Sequence, residues 1–499
     1  MNDAVTLITA DWVIADLAEG RRLIPRGEVA MRNGEIVFVG RDYPGAVQER
    51  RDFGRALIAP GFIDLNALSD LDTTILSFDN HPEWAKGRVW PQSYMARPPY
   101  EMYTPEELVF QKRHAFARLI RNGITTAAPI ASLFYRAWGE TVAEFEGAAE
   151  AAETLGLRVY LGPAYRTGNP YLVGPGQTAL HFDEPRGLAG LVDAVAFCER
   201  IGGRAGGLVR AMLAPDRIET CTSELLRRTA AAGRDLGVPV RLHCCQSAFE
   251  RETVQRLHGA TSIEWLDSLD FLGPNVLLPH GTHVTPSRYD AGDRAAPGRD
   301  LDIVAERGAV IVHCPLVAAR FGDGIESFRR YRDRGLRLAL GTDTAPPDML
   351  LNLQVGLLLC RFVERDAAAC RATDYFDAAT LGGAEALGRP DLGRIAPGAR
   401  ADLVVWDLAN PDLGQVVDPV QTLLIAGSGR DAHTVYIEGR CVMEDRKLPG
   451  MDFDVESVRA QQQFDGLIDK YPDRTWDHPS VATIFPPSYP LATARDQTR

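Results

Sequence analysis

Lysine is scarce in this 499-residue chain, and the CxxC motif is absent from it. Only four lysines occur, at positions 86, 112, 447 and 470, and lysine and arginine form no run, so the basic face of a nucleic-acid-binding protein is not expected. The eight cysteines contain no CxxC pair, and scattered cysteines in a long chain are typical of reduced thiols. We therefore expect a cytoplasmic protein that does not bind nucleic acid.

Long apolar runs are also missing. Residues 1–7 have neither a positively charged segment nor a long apolar one, which argues against a signal peptide. No uninterrupted apolar stretch reaches the length of a membrane helix. The formal net charge of -13 favours a small neutral or cationic ligand. These absences predict a small-molecule substrate and no membrane partner.

Short β-type runs occur at both ends of the chain. Residues 5–8, 28–31 and 35–39 alternate apolar and polar positions, and Asn33-Gly34 is a strong hairpin signal. A similar pattern returns at residues 401–406 and 433–437. We predict one small β-sandwich domain built from both chain ends, with residues 1–58 and 393–450 as its two parts.

The middle of the chain has a different rhythm, in which short apolar runs are followed by helical stretches. This alternation is typical of a parallel sheet, and eight strands are the number that closes a (β/α)8 TIM barrel, here residues 59–392. The tail, residues 451–499, contains one amphipathic helix at 455–470 and then a proline-rich run. We interpret the tail as an arm for packing or subunit contact and expect a homo-oligomer. The predicted barrel strands are residues 58–65, 125–129, 158–161, 208–213, 240–243, 276–280, 310–313 and 337–340.

Three candidate metal ligands, His243, His280 and Asp343, stand where predicted strands stop. Barrel enzymes place their catalytic groups at the C-terminal ends of the strands. Two imidazoles and a carboxylate suit zinc, iron, cobalt or manganese and leave positions open for water and substrate. A single histidine at a strand end is more often a core residue, but three such residues in succession indicate one divalent metal ion per chain.

Several longer motifs make the chain similar to a known family. The sequence resembles the amidohydrolase superfamily, in the branch that includes the triazine hydrolases and guanine deaminases, and this resemblance also implies a TIM barrel. The motifs are Ala-Pro-Gly-Phe-Ile-Asp at 59–64, Leu-Ala-Pro at 213–215, Thr-Cys-Thr at 220–222, His-Gly-Thr-His at 280–283, Gly-Thr-Asp at 341–343, and the closing stretches 379–388 and 395–403.

Two departures from the family pattern bear on the chemistry. Asn66 and Leu68 replace the usual His-x-His, so Asn66 offers at most a weak oxygen ligand or a hydrogen bond to bound water. Gln246 replaces a glutamate that shuttles a proton in this branch. The asparagine resembles that of the phenylurea hydrolases and molinate hydrolase, which implies a single metal acting on ureas and thiocarbamates.

The lysine scarcity also argues against a second metal ion. Two metals in this barrel are usually bridged by a carboxylated lysine at a strand end, and none of the four lysines is predicted to lie at one. The metal set is therefore predicted to be His243, His280 and Asp343, with Asn66 as a weak fourth contact.

The predicted function is hydrolysis of an amide, urea or (thio)carbamate bond by metal-activated water. Asp343 takes a proton from the water and passes it to the leaving group, and His280 either binds the metal or polarises the substrate carbonyl. One alternative is a heteroaromatic aminohydrolase, that is, a deaminase. A second is a degenerate amidohydrolase-like subunit without catalysis.

Five residues are candidates for substrate contact. Gln246 follows a predicted ligand, and His283 either faces the pocket or caps its loop. His313 either lines the pocket wall or is structural. His81 and Trp84 lie in a long first loop rich in aromatic residues, and such loops over a barrel mouth often form part of the substrate cavity.

Overall fold

The computed structural model describes residues 4–71, 90–98, 100–130, 138–284, 299–325, 327–345 and 347–492. None of the helices in these ranges is long and apolar enough to cross a bilayer. The strands are β1 (Thr6–Leu17), β2 (Gly20–Arg32), β3 (Glu35–Gly40), β4 (Glu49–Asp52), β5 (Ala56–Pro60), β6 (Phe62–Leu68), β7 (Ile124–Ile130), β8 (Arg158–Leu161), β9 (Ala164–Tyr165), β10 (Gly168–Gly174), β11 (Gln177–Phe182), β12 (Val209–Ala211), β13 (Ala214–Pro215), β14 (Val240–Arg241), β15 (Val276–Pro279), β16 (Val310–His313), β17 (Arg337–Leu340), β18 (Leu403–Asp407), β19 (Ala432–Ile437) and β20 (Arg440–Met443).

The helices lie mostly between the strands of the middle segment. They are α1 (Pro105–Arg121), α2 (Val142–Leu155), α3 (Glu184–Ile201), α4 (Arg204–Gly207), α5 (Ser223–Leu236), α6 (Ala248–His258), α7 (Ser262–Ser268), α8 (Asp300–Arg307), α9 (Pro315–Arg320), α10 (Phe328–Asp333), α11 (Met349–Glu364), α12 (Ala372–Asp377), α13 (Gly383–Ala386), α14 (Pro419–Ala426), α15 (Phe453–Lys470) and α16 (Val481–Ile484).

One sheet joins the two ends of the chain, and we call it the end sheet. Its order is β20-β19-β18-β5-β1-β2-β3, with β4 paired to β1. Asn33 and Gly34 lie between β2 and β3 with φ of 53° and 82°, as the predicted hairpin requires. Strands from both ends of the chain therefore share one sheet. The β-sandwich and the domain limits stay predictions.

The middle segment contributes eight parallel strands in two four-stranded sheets. Their orders are β12-β8-β7-β6 and β14-β15-β16-β17, and helices follow the strands along the chain. Every residue of β6, β7, β8, β15 and β16 is buried, as is usual for parallel strands covered on both faces. The alternation of strand and helix predicted from the sequence is confirmed.

The two parallel sheets meet at both of their edges without forming one continuous ladder. Leu213 and Val240 form an isolated parallel bridge between the β12 and β14 edges. At the other junction the Asp343 N–H donates to the Asn66 carbonyl oxygen at 2.9 Å. The described residues are thus arranged as two sheets, and the closed ring of eight strands stays a prediction.

The first predicted barrel strand, residues 58–65, is wrong as a single element. The chain forms β5, which pairs with β18 in the end sheet, and then β6, which pairs with β7. Gly61 separates the two strands, and a Cβ atom there would lie 2.2 Å from the Thr125 side chain. The chain therefore passes from one sheet to the other at a position where any residue other than glycine would displace the Thr125 side chain.

The C-terminal helix α15 packs against α1. Thr104 caps α1 in a capping box with Glu107, and Gln463 on α15 donates to the Glu107 carbonyl oxygen at 3.2 Å. Arg113 and Glu456 form an ion pair at 2.7 Å across the same contact. Helix α15 thus packs on the middle segment of the chain, and the role of the tail as a subunit contact stays a prediction.

Candidate active site

Buried polar residues collect at the C-terminal edge of the parallel strands. His243 and His280 follow β14 and β15, His313 ends β16, and Asp343 follows β17. Asn66 lies within β6 and is fully buried. Because the carboxyl ends of parallel strands meet at one edge, the structure brings all four predicted metal-site residues to the same side of the molecule.

Asp343 and His280 are near neighbours, and both have unusual backbone conformations. Asp343 Oδ2 lies 3.7 Å from His280 Nε2, and the His243 and His280 ring centroids are 5.5 Å apart. The φ angles of His280 and Asp343 are 81° and 43°. Positive φ at residues other than glycine costs energy and is concentrated at functional sites, so both side chains are held by the surrounding fold.

The three predicted ligands do not form the most compact set of donor atoms. Among the described residues, the one group of three or more whose ligand atoms all lie within 4.8 Å is Cys244, Cys245 and Glu250. His243, His280 and Asp343 are wider apart than this limit as a set. Their joint coordination of one metal ion therefore stays a prediction.

His243 is oriented by a contact that the sequence analysis missed. Its Nδ1 lies 2.7 Å from the carbonyl oxygen of Asp216, and a carbonyl can only accept, so Nδ1 carries the proton. In the neutral imidazole that tautomer leaves Nε2 unprotonated, which is the arrangement of a metal-binding histidine. The Asp216 carboxylate in turn accepts from Arg166 Nη1 at 2.8 Å. The sequence does place a polar residue, Asp216, directly after the end of the Ala214-Pro215 strand, and this position could have indicated a site residue.

Asn66 has an oxygen atom that suits a cation or a bound water. Its Nδ2 donates to Cys314 Sγ at 3.8 Å, while its buried Oδ1 has no hydrogen-bond partner among the described residues. A buried carbonyl oxygen without a donor costs free energy, and a metal ion or metal-bound water would remove that cost. Asn66 and the strand-end histidines therefore fit a divalent cation of the kind that nitrogen and oxygen donors bind.

Asp64, within β6, links that strand to the segment that follows β17. Its Oδ1 accepts from the backbone N–H groups of Asn66 and Thr342, at 3.1 Å and 3.0 Å, and its Oδ2 accepts from the Thr342 hydroxyl. Burial raises the pKa of Asp64 to about 6, so the carboxylate is ionised at neutral pH. This residue keeps Asn66 and Asp343 next to each other, although the sequence analysis gave it no role.

Gln246 lies in a tightly held loop after β14. Arg217 Nη1 donates to its Oε1 at 2.6 Å, and its backbone N–H donates to Glu250 Oε2 at 2.7 Å. Glu250 Oε1 also accepts from the Cys245 N–H and from the Ser262 hydroxyl. Burial and the nearby Glu219 raise the pKa of Glu250 to about 8. Arg217 thus holds the Gln246 side chain, and Glu250 holds its backbone.

The remaining predicted substrate contacts have local partners or are not described. His283 Nε2 lies 2.7 Å from Asp323 Oδ2. His313 packs beside the rings of Phe328 and Tyr375, and burial lowers its pKa to about 3, so it is neutral at working pH. Contact of either histidine with substrate stays a prediction. His81 and Trp84 lie outside the described residues.

Three of the four lysines lie within the described residues, and the number of metal ions stays a prediction. Lys112 is buried on α1, where Nζ lies 3.2 Å from Glu140 and 3.4 Å from Glu144. Lys447 follows β20, and Lys470 ends α15. None of these three is at the end of a parallel strand, and Lys86 lies outside the described residues.

Two related proteins align with the chain over most of its length. It is 27% identical over 443 residues to a 5-methylthioadenosine/S-adenosylhomocysteine deaminase of Natronomonas pharaonis, covering 88% of this chain and 92% of the relative. It is 29% identical over 455 residues to the enzyme of the same name from Syntrophobacter fumaroxidans, covering 88% and 94%.

Solved structures of two other proteins share the fold. An adenosine deaminase from Xanthomonas campestris with bound zinc matches with a TM-score of 0.77 and 23% identity, covering 93% of this chain and 98% of that one. An atrazine chlorohydrolase from Arthrobacter aurescens TC1 complexed with zinc matches with a TM-score of 0.74 and 21% identity, covering 92% and 99%.

The sequence model of the amidohydrolase family matches residues 57–442 of the chain. Together with the shared fold, this match confirms the α/β fold of TIM-barrel type. It also confirms the predicted enzyme class, a hydrolase acting on carbon–nitrogen bonds. The chain belongs to the amidohydrolase family.

Proposed function

We propose that this hydrolase cleaves an amide, urea or (thio)carbamate bond of a small molecule with one divalent metal ion per chain. His243, His280 and Asp343 would hold the ion, with Asn66 Oδ1 as a weak oxygen contact. Support comes from their burial at one strand edge, from the proton on His243 Nδ1 and from the unpartnered Asn66 Oδ1. The zinc in two structural neighbours supports a divalent metal.

Asp343 and His280 have different roles in the proposed reaction. When bound, the metal would lower the pKa of a water molecule and so supply a nucleophile near neutral pH. Asp343 would accept a proton from the attacking water and later donate it to the departing nitrogen or sulfur. His280, with Nε2 3.7 Å from Asp343 Oδ2, lies where it can share this proton or polarise the substrate carbonyl.

The main observation that favours acyl hydrolysis over deamination is the presence of glutamine at position 246. Water addition to an aromatic ring carbon requires protonation of a ring nitrogen, and general acid help is worth about 10²–10⁴ in rate. Gln246 cannot give a proton, and its Oε1 already accepts from Arg217. A urea or carbamate has no ring to dearomatise, so Asp343 alone can serve its leaving group. The likeness of Asn66 to the phenylurea and molinate hydrolases points to the same substrates.

A second candidate is deamination of a heteroaromatic ring. The curated relatives named as 5-methylthioadenosine/S-adenosylhomocysteine deaminases favour it, as does the structural neighbour named adenosine deaminase. For this reaction another buried acid would have to replace Gln246, and Glu219 is one of the buried carboxylic acids on the segment that follows β13.

The test begins with elemental analysis of protein purified without added metal. The wild-type chain and the Asp343→Ala variant are then assayed in parallel on phenylureas, carbamates, anilides, adenosine, 5′-methylthioadenosine and aminotriazines. We expect about one metal ion per chain and hydrolysis of acyl-type substrates that the variant lacks. Ammonia release from the rings alone would support the deaminase, and a chain without metal or activity would support the degenerate subunit.

A further inference from the structure

Arg217 is a half-buried cation beside the candidate active site. It follows β13, and its backbone forms an isolated parallel bridge with that of His243. The next residue, Ile218, donates its N–H to the His243 carbonyl oxygen at 3.1 Å. The guanidinium reaches Gln246 Oε1 at 2.6 Å. Arg217 therefore lies between a predicted metal ligand and a predicted substrate contact.

No carboxylate of the described residues forms an ion pair with Arg217. Its partner Gln246 is neutral, and Gln246 takes only Nη1, so Nε and Nη2 have no hydrogen bond within this part of the chain. The nearby acids are engaged elsewhere, since Asp216 accepts from Arg166, and Glu250 accepts from two backbone N–H groups and Ser262. Because Arg217 is partly exposed, water can hydrate Nε and Nη2, and the same two groups are available to pair with an anionic ligand.

The identity of residue 246 explains why the charge is available. A glutamate there, as in the branch that the chain resembles, would form an ion pair with a guanidinium only 2.6 Å away. Glutamine keeps the hydrogen bond but leaves the positive charge uncompensated. The same replacement that removes a proton shuttle therefore creates a local cation.

We propose that Arg217 binds a carboxylate of the substrate through Nε and Nη2. Adjacent Nε–H and Nη2–H groups match the two oxygens of a carboxylate in a bidentate pair. This inference rests on the proposed function, and it narrows the substrate to an acyl-type molecule with a carboxylate near the scissile carbonyl. The net charge of -13 does not oppose this, because a cation at hydrogen-bond distance outweighs distant charges that salt screens.

A pair of ligands that differ only in charge tests the proposal. N-carbamoylglycine and N-carbamoylglycinamide share the same urea group, so contacts to that group are matched. Calorimetry of the metal-loaded protein should show about ten- to hundred-fold tighter binding of the acid, the value of a charge-assisted hydrogen-bond pair. Arg217→Gln should remove most of that preference. Gln246→Glu should also weaken acid binding, because the new carboxylate would occupy the guanidinium.

Two further variants separate the local effect from general ones. Arg228→Gln removes one positive charge from the surface of α5, where Arg228 pairs with Glu224 at 2.6 Å, and should keep the preference. Arg217→Lys keeps the charge but loses the fork, and should give an intermediate preference. Circular dichroism shows whether each variant is folded, and Arg217→Lys carries the test if Arg217→Gln is not.

The outcomes distinguish this inference from the proposed function. Equal affinity of the wild-type chain for acid and amide, no measurable acid binding, or a preference that survives Arg217→Gln would overturn it. A carboxylate bound directly to the metal would produce the last of these results. A chain that deaminates rings but shows the Arg217-dependent preference would refute the proposed reaction and leave the carboxylate site standing.

Discussion

Substitution of Asp64 gives the most direct test of how the site is built, because three hydrogen-bond donors share this one buried carboxylate as their acceptor. Asp64→Ala would leave the N–H groups of Asn66 and Thr342 and the Thr342 hydroxyl without an acceptor. Each buried unsatisfied group costs roughly 1–3 kcal/mol. The free energy of unfolding should therefore fall by at least about 3 kcal/mol.

Asp64→Asn is the informative companion, because it keeps one acceptor and removes the buried charge. Its carbonyl oxygen can accept both N–H groups, and its amide can donate to the Thr342 hydroxyl oxygen in place of the original bond. We expect a loss of only about 1 kcal/mol, since the charge that burial disfavours is gone. Metal content should fall more in Asp64→Ala than in Asp64→Asn, because Asn66 is positioned by the same contacts.

The assay is urea unfolding at pH 7.5, followed by circular dichroism, with elemental analysis of the folded protein. Asp52→Ala is the matched control, because Asp52 also accepts a hydroxyl and a backbone N–H but is exposed. It should change stability by less than about 1 kcal/mol, since water replaces the lost acceptor. Equal effects of Asp64→Ala and Asp52→Ala, or a stable Asp64→Ala protein, would refute this reasoning.

Three further predictions concern metal binding, pH and a buried ion cluster. His243→Ala should lower metal content while Asp343→Ala abolishes turnover, and full metal occupancy with wild-type activity in either variant would contradict the ligand assignment. Burial and the neighbouring Arg118 and Arg113 lower the pKa of His114 from 6.5 to about 4, so the unfolded chain takes up this proton first. Stability should thus fall by up to about 3 kcal/mol between pH 6.5 and pH 4, and unfolding curves of His114→Gln should show a smaller fall. Lys112→Met would leave Glu140 and Glu144 buried without their cation and should cost about 3–5 kcal/mol in urea unfolding, whereas Lys447→Met should be nearly neutral.

The parallel strands were predictable because most of them are short, predominantly apolar runs between turn signals. The predicted limits of β8, β16 and β17 agree with the structure at every residue. The division at Gly61 was not predictable in the same way. The mostly apolar residues 58–65 were predicted as one strand, and whether a strand pairs with β18 or with β7 depends on residues far away in the sequence.

The candidate site shows the same limit. His243, His280 and Asp343 could be found because ligands in this kind of fold follow strand ends. Asp64 could not be assigned, because its partner Thr342 is 278 residues away along the chain. The role of Arg217 could not be predicted for a related reason, because it depends on a hydrogen bond to Gln246, which follows a different strand. Patterns along one strand reveal ligands, but contacts between strands decide how those ligands are held.

The end sheet has a consequence for the order in which the chain can fold during synthesis. β5 lies between β1 and β18, so one of its edges is completed only by residues 403–407, which the ribosome adds about 350 residues later. Until then β5 presents an open edge that can pair with another nascent chain. Slower translation or a chaperone that covers this edge should therefore raise the soluble yield, and a circular permutant that joins the two ends should depend on such help less.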